Sequence, residues 1–162
     1  MCIRDSSNNW QTSWINNAAW LIDLIDELGD TATDYITEIR SLADQLLEGD
    51  TTLAEVEEFA DTHGVHNLMH LQEYKTAVYE LSEDIVSEFL EDFGMDMIEH
   101  APEMFQGTFT DGAEFAESIV DDCYGHGELP TWVQVDWEKT WEYALCYDYI
   151  ITDSGYVFNS NY

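Results

Sequence analysis

Two stretches near the C-terminus decide the fold: residues 104–123, MFQGTFTDGAEFAESIVDDC, and residues 148–162, DYIITDSGYVFNSNY. In the first stretch, apolar residues alternate loosely around Gly107, which predicts a short strand over residues 105–109. In the second stretch, Tyr-Ile-Ile and Tyr-Val-Phe flank the turn sequence Thr-Asp-Ser-Gly, which predicts a β-hairpin.

Helical patterns lie between these predicted strands. Thr110 or Asp111 is the expected cap of a helix that buries the apolar residues between 113 and 120. Asp136 is the expected cap of a second helix, from Trp137 to about Tyr147. Two or three short strands with two helices predict a small three-stranded α+β domain over residues 104–162.

The first hundred residues predict a series of short amphipathic helices, each with one apolar and one acidic face. We expect them at about residues 14–28, 33–48, 53–63, 67–80 and 82–93, with glycines at or near their ends. Thr52 and Glu55 have the spacing of a capping box at the start of the third helix. No internal repeat is expected. The overall prediction is a mostly helical α+β protein of elongated shape.

The predicted organisation has four parts. Residues 1–7 are expected to be a non-native leader, because MCIRDS resembles translated sequencing adapter. Residues 8–50 form a helical N-terminal segment, residues 51–103 an acidic helical domain, and residues 104–162 the α+β domain.

Charge is the dominant feature of the composition. The chain has 35 Asp and Glu against 4 Lys and Arg, a formal net charge of −31. This excess makes a compact chain repel itself. It argues against direct nucleic-acid binding and against an anionic membrane surface, since both need Lys and Arg. Suitable partners are basic surfaces, divalent cations or a high-salt environment.

The three cysteines, Cys2, Cys123 and Cys146, form no CxxC pair, which favours a reducing cytosol over a disulfide framework or zinc site. There is no run of 18 apolar residues and no signal peptide. We therefore expect a cytoplasmic protein.

The candidate functional residues are carboxylates on two predicted helices. They are Glu83, Asp84, Glu88, Glu91 and Asp92 on one helix and Asp111, Glu114, Glu117, Asp121 and Asp122 on the other. Helical residues three or four apart have Cβ atoms about 5–6 Å apart, close to the phosphate spacing along one DNA strand. Duplex DNA carries about one charge per 1.7 Å of axis, so half of the carboxylates would match on the order of 30 Å of duplex.

Other interpretations of the same residues stay open. The acidic faces are also typical of a solvated surface or of salt adaptation. His63, His66 and His70 have a spacing that would suit metal ligands, although Gly64 interrupts it, and capping or half-exposed histidines are the more common arrangement. No nucleophile motif, phosphate loop or calcium loop is present, so neither an enzyme nor a cofactor is expected. The tryptophans, including Trp132, Trp137 and Trp141, are expected in the core or in a subunit interface.

The segment from residue 104 to 162 resembles the C-terminal part of the ArdA antirestriction proteins, which are DNA mimics. Phe105-Gln-Gly-Thr-Phe is similar to the family's aromatic-x-Gly-x-aromatic strand, and residues 111–120 are similar to its acidic Glu-Phe-Ala-Glu helix. Leu129-Pro130, Val135-Asp136-Trp137-Glu138 and the spacing from Tyr143 to Asp148 resemble further family motifs. The ending Gly155-Tyr-Val-Phe resembles its closing Gly-x-Val-Phe, and residues 86–105 its preceding acidic helix.

The resemblance covers about half of the chain and implies a dimeric, acidic, non-enzymatic protein that imitates bent DNA. Such a protein occupies the DNA-binding groove of Type I restriction-modification enzymes. The N-terminal part departs from the family, whose first domain contains β-structure, because residues 7–49 predict helices. The alternatives are an acidic adaptor for another basic protein and a salt-adapted protein of unrelated function.

Overall fold

The computed structural model describes residues 19–26, 29, 36–124, 130 and 132–162. The chain divides between Gln72 and Glu73 into two compact units. The predicted fold class is confirmed: helices dominate, and a small three-stranded antiparallel sheet lies in the second unit.

The first unit is helical. Its helices are α1 (residues 19–26), α2 (Ile36–Glu48) and α3 (Leu53–His63), followed by a 3-10 helix (Val65–His70) and the first residues of α4 (Leu71–Leu81). Its buried apolar residues are Leu24, Leu42, Leu46, Val56, Phe59, Leu68 and Leu71. The predicted capping box is confirmed, since the Thr52 amide donates to the Glu55 carboxylate (2.7 Å) and the Glu55 amide donates to the Thr52 hydroxyl (3.3 Å).

Two details of this unit differ from the sequence-based prediction. The helix expected over residues 67–80 is a 3-10 helix up to His70 and an α-helix only from Leu71. Ile22, Ile25 and Leu47, which belong to the apolar residues of the predicted amphipathic helices, are 60%, 44% and 59% exposed rather than buried. Within the described part of α1, Leu24 alone is buried. The buried stripe is therefore narrower than the apolar pattern of the sequence predicts. The ends of the first predicted helix and the start of the second lie outside the described residues.

The second unit combines helices with the sheet. After α4 come α5 (Glu83–Phe93), a 3-10 helix (Met95–His100), α6 (Ala101–Met104), β1 (Phe105–Thr108) and α7 (Gly112–Tyr124). They are followed by α8 (Trp137–Tyr143), a 3-10 helix (Leu145–Tyr147), β2 (Tyr149–Ile151) and β3 (Tyr156–Asn159). Asp136 caps α8 as predicted, by accepting from the Lys139 amide. The α-helix ends four residues earlier than expected, because Ala144 leaves the helical conformation (φ −130°).

The sheet has the order β1-β3-β2, and both pairings are antiparallel. The predicted strand and hairpin are therefore confirmed. An irregularity in β1 lies between Phe105 and Gly107, where Gly107 has a φ of +129°. Gly155 closes the hairpin with a φ of +85°, and its carbonyl accepts from the Phe109 amide (2.8 Å). A residue with a side chain would be strained at that φ.

Phe158 is at the centre of the second core and is fully buried. Its ring lies 5.3 Å from Phe89, 5.9 Å from Phe93 and 5.6 Å from Phe105, measured between ring centroids. Helix α5 and the sheet thus share one apolar core. The division of the chain at residue 72 differs from the boundaries expected near residues 50 and 103, because the apolar face of the acidic helix packs against the C-terminal strand.

Ser82 joins α4 to α5 with a strained backbone. Its φ of 112° and ψ of 159° lie in a region that glycine adopts readily, and its side chain makes no capping hydrogen bond. Such strain costs about 1–3 kcal/mol. We expect Ser82→Gly to raise the free energy of unfolding by about 1 kcal/mol, after the entropy cost of glycine is subtracted. Urea denaturation followed by circular dichroism measures this change.

Ser87→Gly is the matched control for this substitution, since Ser87 is exposed within α5. We expect it to lower the free energy of unfolding by roughly 0.5–1 kcal/mol. If Ser82→Gly and Ser87→Gly lower the free energy of unfolding by the same amount, the backbone at Ser82 is not strained.

Candidate protein-interaction surface

Helix α5 presents carboxylates on the side opposite its core residues. Val86 and Phe89 are fully buried, so the exposed residues of this helix include Glu83, Asp84, Glu91 and Asp92. Asp84, Glu88 and Glu91 are spaced by four and three residues, which places them along one side of the helix. Of the five carboxylates predicted on this helix, four are exposed.

Glu88 differs from its neighbours on α5, because it is half-buried and its carboxylate accepts a hydrogen bond from the Ser154 hydroxyl in the hairpin turn. This hydrogen bond lowers the pKa of Glu88. Its other oxygen, Oε2, is buried without a hydrogen-bond partner among the described residues. Glu88 therefore helps to hold α5 against the hairpin, and we assign it a mainly structural role.

The lowered pKa of Glu88 has a defined effect on acid stability. A carboxylate whose pKa is lower in the folded state stabilises the fold above its unfolded-state pKa, and this contribution disappears as the pH falls through the folded-state pKa. We expect the unfolding midpoint in urea to decrease less between pH 6 and pH 3 in Glu88→Gln than in the wild type. Glu80→Gln, at an exposed position of α4, is the control and should keep the wild-type slope. Equal slopes for Glu88→Gln and wild type would contradict this role.

Helix α7 carries the second acidic face. Phe115 and Ala116 are buried, whereas Glu114, Glu117 and Asp121 lie on the opposite side with spacings of three and four residues. All the predicted carboxylates of this helix are exposed except Asp121, which is half-buried.

Asp111 and Glu114 also cap the start of α7. The Glu114 amide donates to Asp111 Oδ1 (2.9 Å), and the Thr110 amide donates to Glu114 Oε2 (2.6 Å). Asp111, rather than Thr110, is therefore the cap residue of α7. Hydrogen bonding by the Thr110 amide lowers the pKa of Glu114, so the group is held in its charged form.

Lysine and arginine are absent from the stretch of sequence that carries these faces. The sequence contains no Lys or Arg between Lys75 and Lys139. The Lys139 ammonium lies 2.6 Å from Asp136 Oδ2, and this contact raises the pKa of the lysine. The carboxylates of α5 and α7 therefore lie in a segment of the sequence that contains no lysine or arginine.

Aromatic residues form part of the surface that the sequence did not indicate. Trp132 is 81% exposed, so it does not lie in the core, and its alternative place in a subunit interface stays a prediction. Trp141 is half-buried, its ring centroid 6.1 Å from that of Phe115, and Trp137 is also half-buried. Large exposed side chains elsewhere in this unit are Tyr79, Tyr143, Tyr147 and Tyr162. The four-residue spacing of Tyr143 and Tyr147 could have indicated an exposed aromatic face. Composition, however, does not distinguish an exposed aromatic side chain from a buried one.

The histidines do not form a common site. The His63 ring packs against Phe59 with centroids 4.8 Å apart, and burial lowers its pKa. Across the described residues, no three His, Cys, Asp or Glu side chains are placed to hold a metal ion. Cys123 and Cys146 are exposed, and the Cys146 thiol donates to the Glu142 carbonyl (3.0 Å).

No helix within the described part of the chain has the length and apolar character needed to span a membrane. Comparison with protein-family models, with curated proteins and with solved structures gives no match for this chain.

Proposed function

We propose that this protein is a DNA mimic that binds the DNA-binding groove of Type I restriction-modification enzymes. The observation that carries the proposal is the pair of acidic helices α5 and α7 in one compact unit, with no Lys or Arg between Lys75 and Lys139. The excess charge destabilises the fold by self-repulsion, so an external partner is a physical reason for its presence.

The geometry of each helix suits a partner that binds phosphates. Carboxylates three and four residues apart on a helix are separated by about 5–6 Å at Cβ. A groove lined with Lys and Arg binds DNA by neutralising such a row of charges. The same groove would accept exposed carboxylates such as Asp84, Glu91 and Glu117.

The choice of a Type I methyltransferase core rests on the resemblance to ArdA proteins. Its motifs in β1, α7, α8 and β3 lie in the second unit. The first unit differs from that family, because its described elements α1 to α3 are helices whereas the family's first domain contains β-structure. The proposed complex contains a homodimer of this protein in the bacterial cytoplasm, needs no cofactor, and involves no catalysis by this chain.

The test is a DNA-cleavage assay with a purified Type I restriction enzyme and its ATP cofactor. Adding the protein should block cleavage, and added unmodified DNA should relieve the block, because mimic and DNA compete for one groove. Inhibition that no amount of DNA relieves would point to binding elsewhere. Absence of inhibition by a folded sample would reject the proposal.

Two other functions remain as alternatives to test. An adaptor for a different basic protein would bind a nucleoid protein or a nuclease in a pull-down experiment and leave the restriction enzyme unaffected. A salt-adapted protein would lose its helical circular dichroism on dialysis below molar salt. We expect the helical signal to persist at low salt.

A further inference from the structure

The first unit contains a groove between α1 and α3, here called the α1–α3 groove. Its volume is about 510 Å³, within the range of roughly 300–1,000 Å³ that small-molecule sites occupy. Every residue that lines it belongs to the part of the chain that the structure describes, and all of them lie in the same compact unit. The groove is therefore a property of the first unit by itself.

Two helices supply the polar and aromatic lining of the groove. Trp20 and Asp23 are three residues apart on α1, and Glu57 and Asp61 are four residues apart on α3. Residues with these spacings lie on one side of a helix. The groove thus brings one indole ring and three carboxylates together from two helices.

Another part of the lining is apolar. It includes Leu24, which is buried, and Ala60 and Val65, which are half-buried. The indole of Trp20 is half-buried as well. A molecule that binds in the groove would remove this apolar surface from water, which favours an occupant with hydrocarbon of its own.

The charged part of the lining has a single sign. Asp23, Glu57 and Asp61 are exposed, and no lysine or arginine is among the described residues that line the groove. None of the three carboxylates makes a hydrogen bond or an ion pair with another described residue. Because carboxylates from two helices repel each other in one groove, a cation bound between them would stabilise this arrangement.

We propose that the α1–α3 groove binds an aliphatic polyammonium ion, in which short methylene chains separate protonated amino groups. Charge complementarity argues for this occupant, since Asp23, Glu57 and Asp61 would each accept a hydrogen bond from an ammonium group. The methylene chains would cover Leu24 and the other apolar lining residues. The ring of Trp20 would attract an ammonium group through its face. A small inorganic cation would neutralise the carboxylates but leave the apolar lining in water.

The test is isothermal titration calorimetry of the full chain with spermidine, a triply charged polyamine, at physiological salt. The comparison cation is hexaamminecobalt(III), which carries the same charge but has no methylene chains. We expect one spermidine site with a Kd about 10-fold lower than that of hexaamminecobalt(III), because only spermidine covers the apolar lining and the indole. Equal affinities, or tighter binding of hexaamminecobalt(III), would overturn the inference, because binding would then follow charge alone.

Two triple variants with the same change of charge locate the site. The groove variant is Asp23→Asn/Glu57→Gln/Asp61→Asn. The control variant changes exposed residues of the same unit that do not line the groove, Asp44→Asn/Glu48→Gln/Glu58→Gln. The groove variant should raise the Kd for spermidine roughly 30-fold, since each exposed charge contact is modest and separate contacts add. The control variant should raise it less than about 3-fold. Equal effects of the two variants would show a diffuse counterion only and would overturn the inference.

Trp20→Leu tests the aromatic contact without any change of charge. It should raise the Kd for spermidine about 3-fold and leave the Kd for hexaamminecobalt(III) unchanged, because the substitution removes the ring face but none of the carboxylates. An equal change for both cations would contradict the proposed position of the ion. If a variant fails to fold, as seen by circular dichroism, the comparison of the two cations on the unsubstituted protein decides. The inference does not depend on the proposed function, so either can fail without the other.

Discussion

Phe158→Ala is expected to lower the free energy of unfolding by about 3–5 kcal/mol. The Phe158 side chain is fully buried and contacts Phe89 and Phe93 of α5 and Phe105 of β1. Removing the ring leaves a cavity where the helix meets the sheet, and three aromatic neighbours lose contacts together. Urea denaturation at constant salt, with the tryptophan fluorescence as signal, measures the change.

Tyr162→Ala is the control for this prediction, since Tyr162 is an aromatic residue of the same C-terminal segment but is 56% exposed. Its expected cost is below about 1 kcal/mol, because surface substitutions rarely have large effects. A Phe158→Ala loss no larger than that of Tyr162→Ala would mean that α5 and the sheet do not share a core. The acidic helix would then not be part of the second folding unit.

Glu117→Lys with Asp121→Lys is expected to raise the concentration needed to displace DNA from a Type I methyltransferase core about 100-fold at low salt. Both residues lie on the α7 side opposite Phe115, and each substitution replaces an attraction to the basic groove by a repulsion. Four units of charge change, at exposed Glu117 and half-buried Asp121, are worth about 3 kcal/mol if each unit is worth somewhat under 1 kcal/mol. The difference should shrink as salt rises, because screening acts on exposed charges.

Glu138→Lys with Glu142→Lys is the matched control, since these α8 residues are exposed and have the same four-residue spacing and the same change of charge. This control variant should weaken the displacement of DNA much less, because it changes only the overall electrostatic field of the protein. If the α7 variant inhibits as the wild type does at low and at high salt, the α7 face takes no part in binding.

Features encoded by neighbouring residues could be predicted from the sequence. The capping box of Thr52 and Glu55, the cap at Asp136 and the hairpin around Gly155 each depend on residues within a few positions of one another. The acidic face of α5 was predictable for the same reason, because 3.6-residue periodicity separates Val86 and Phe89 from the carboxylates.

Features that depend on distant contacts could not be predicted. Glu88 was grouped with the carboxylates of the acidic faces because its partner, Ser154, is 66 residues away in the chain. The exposure of Trp132 and the division at residue 72 likewise depend on which surfaces meet after folding.

The central claim is that this protein and duplex DNA compete for the same basic groove. Fluorescence anisotropy tests it most directly: labelled duplex DNA is bound to a Type I methyltransferase core, and the protein is titrated in at two salt concentrations. The account predicts displacement that saturates at a fixed stoichiometry and that weakens as salt rises, because the contacts are electrostatic. Anisotropy that stays at the value of the bound duplex, with a sample that circular dichroism shows to be folded, would contradict the claim.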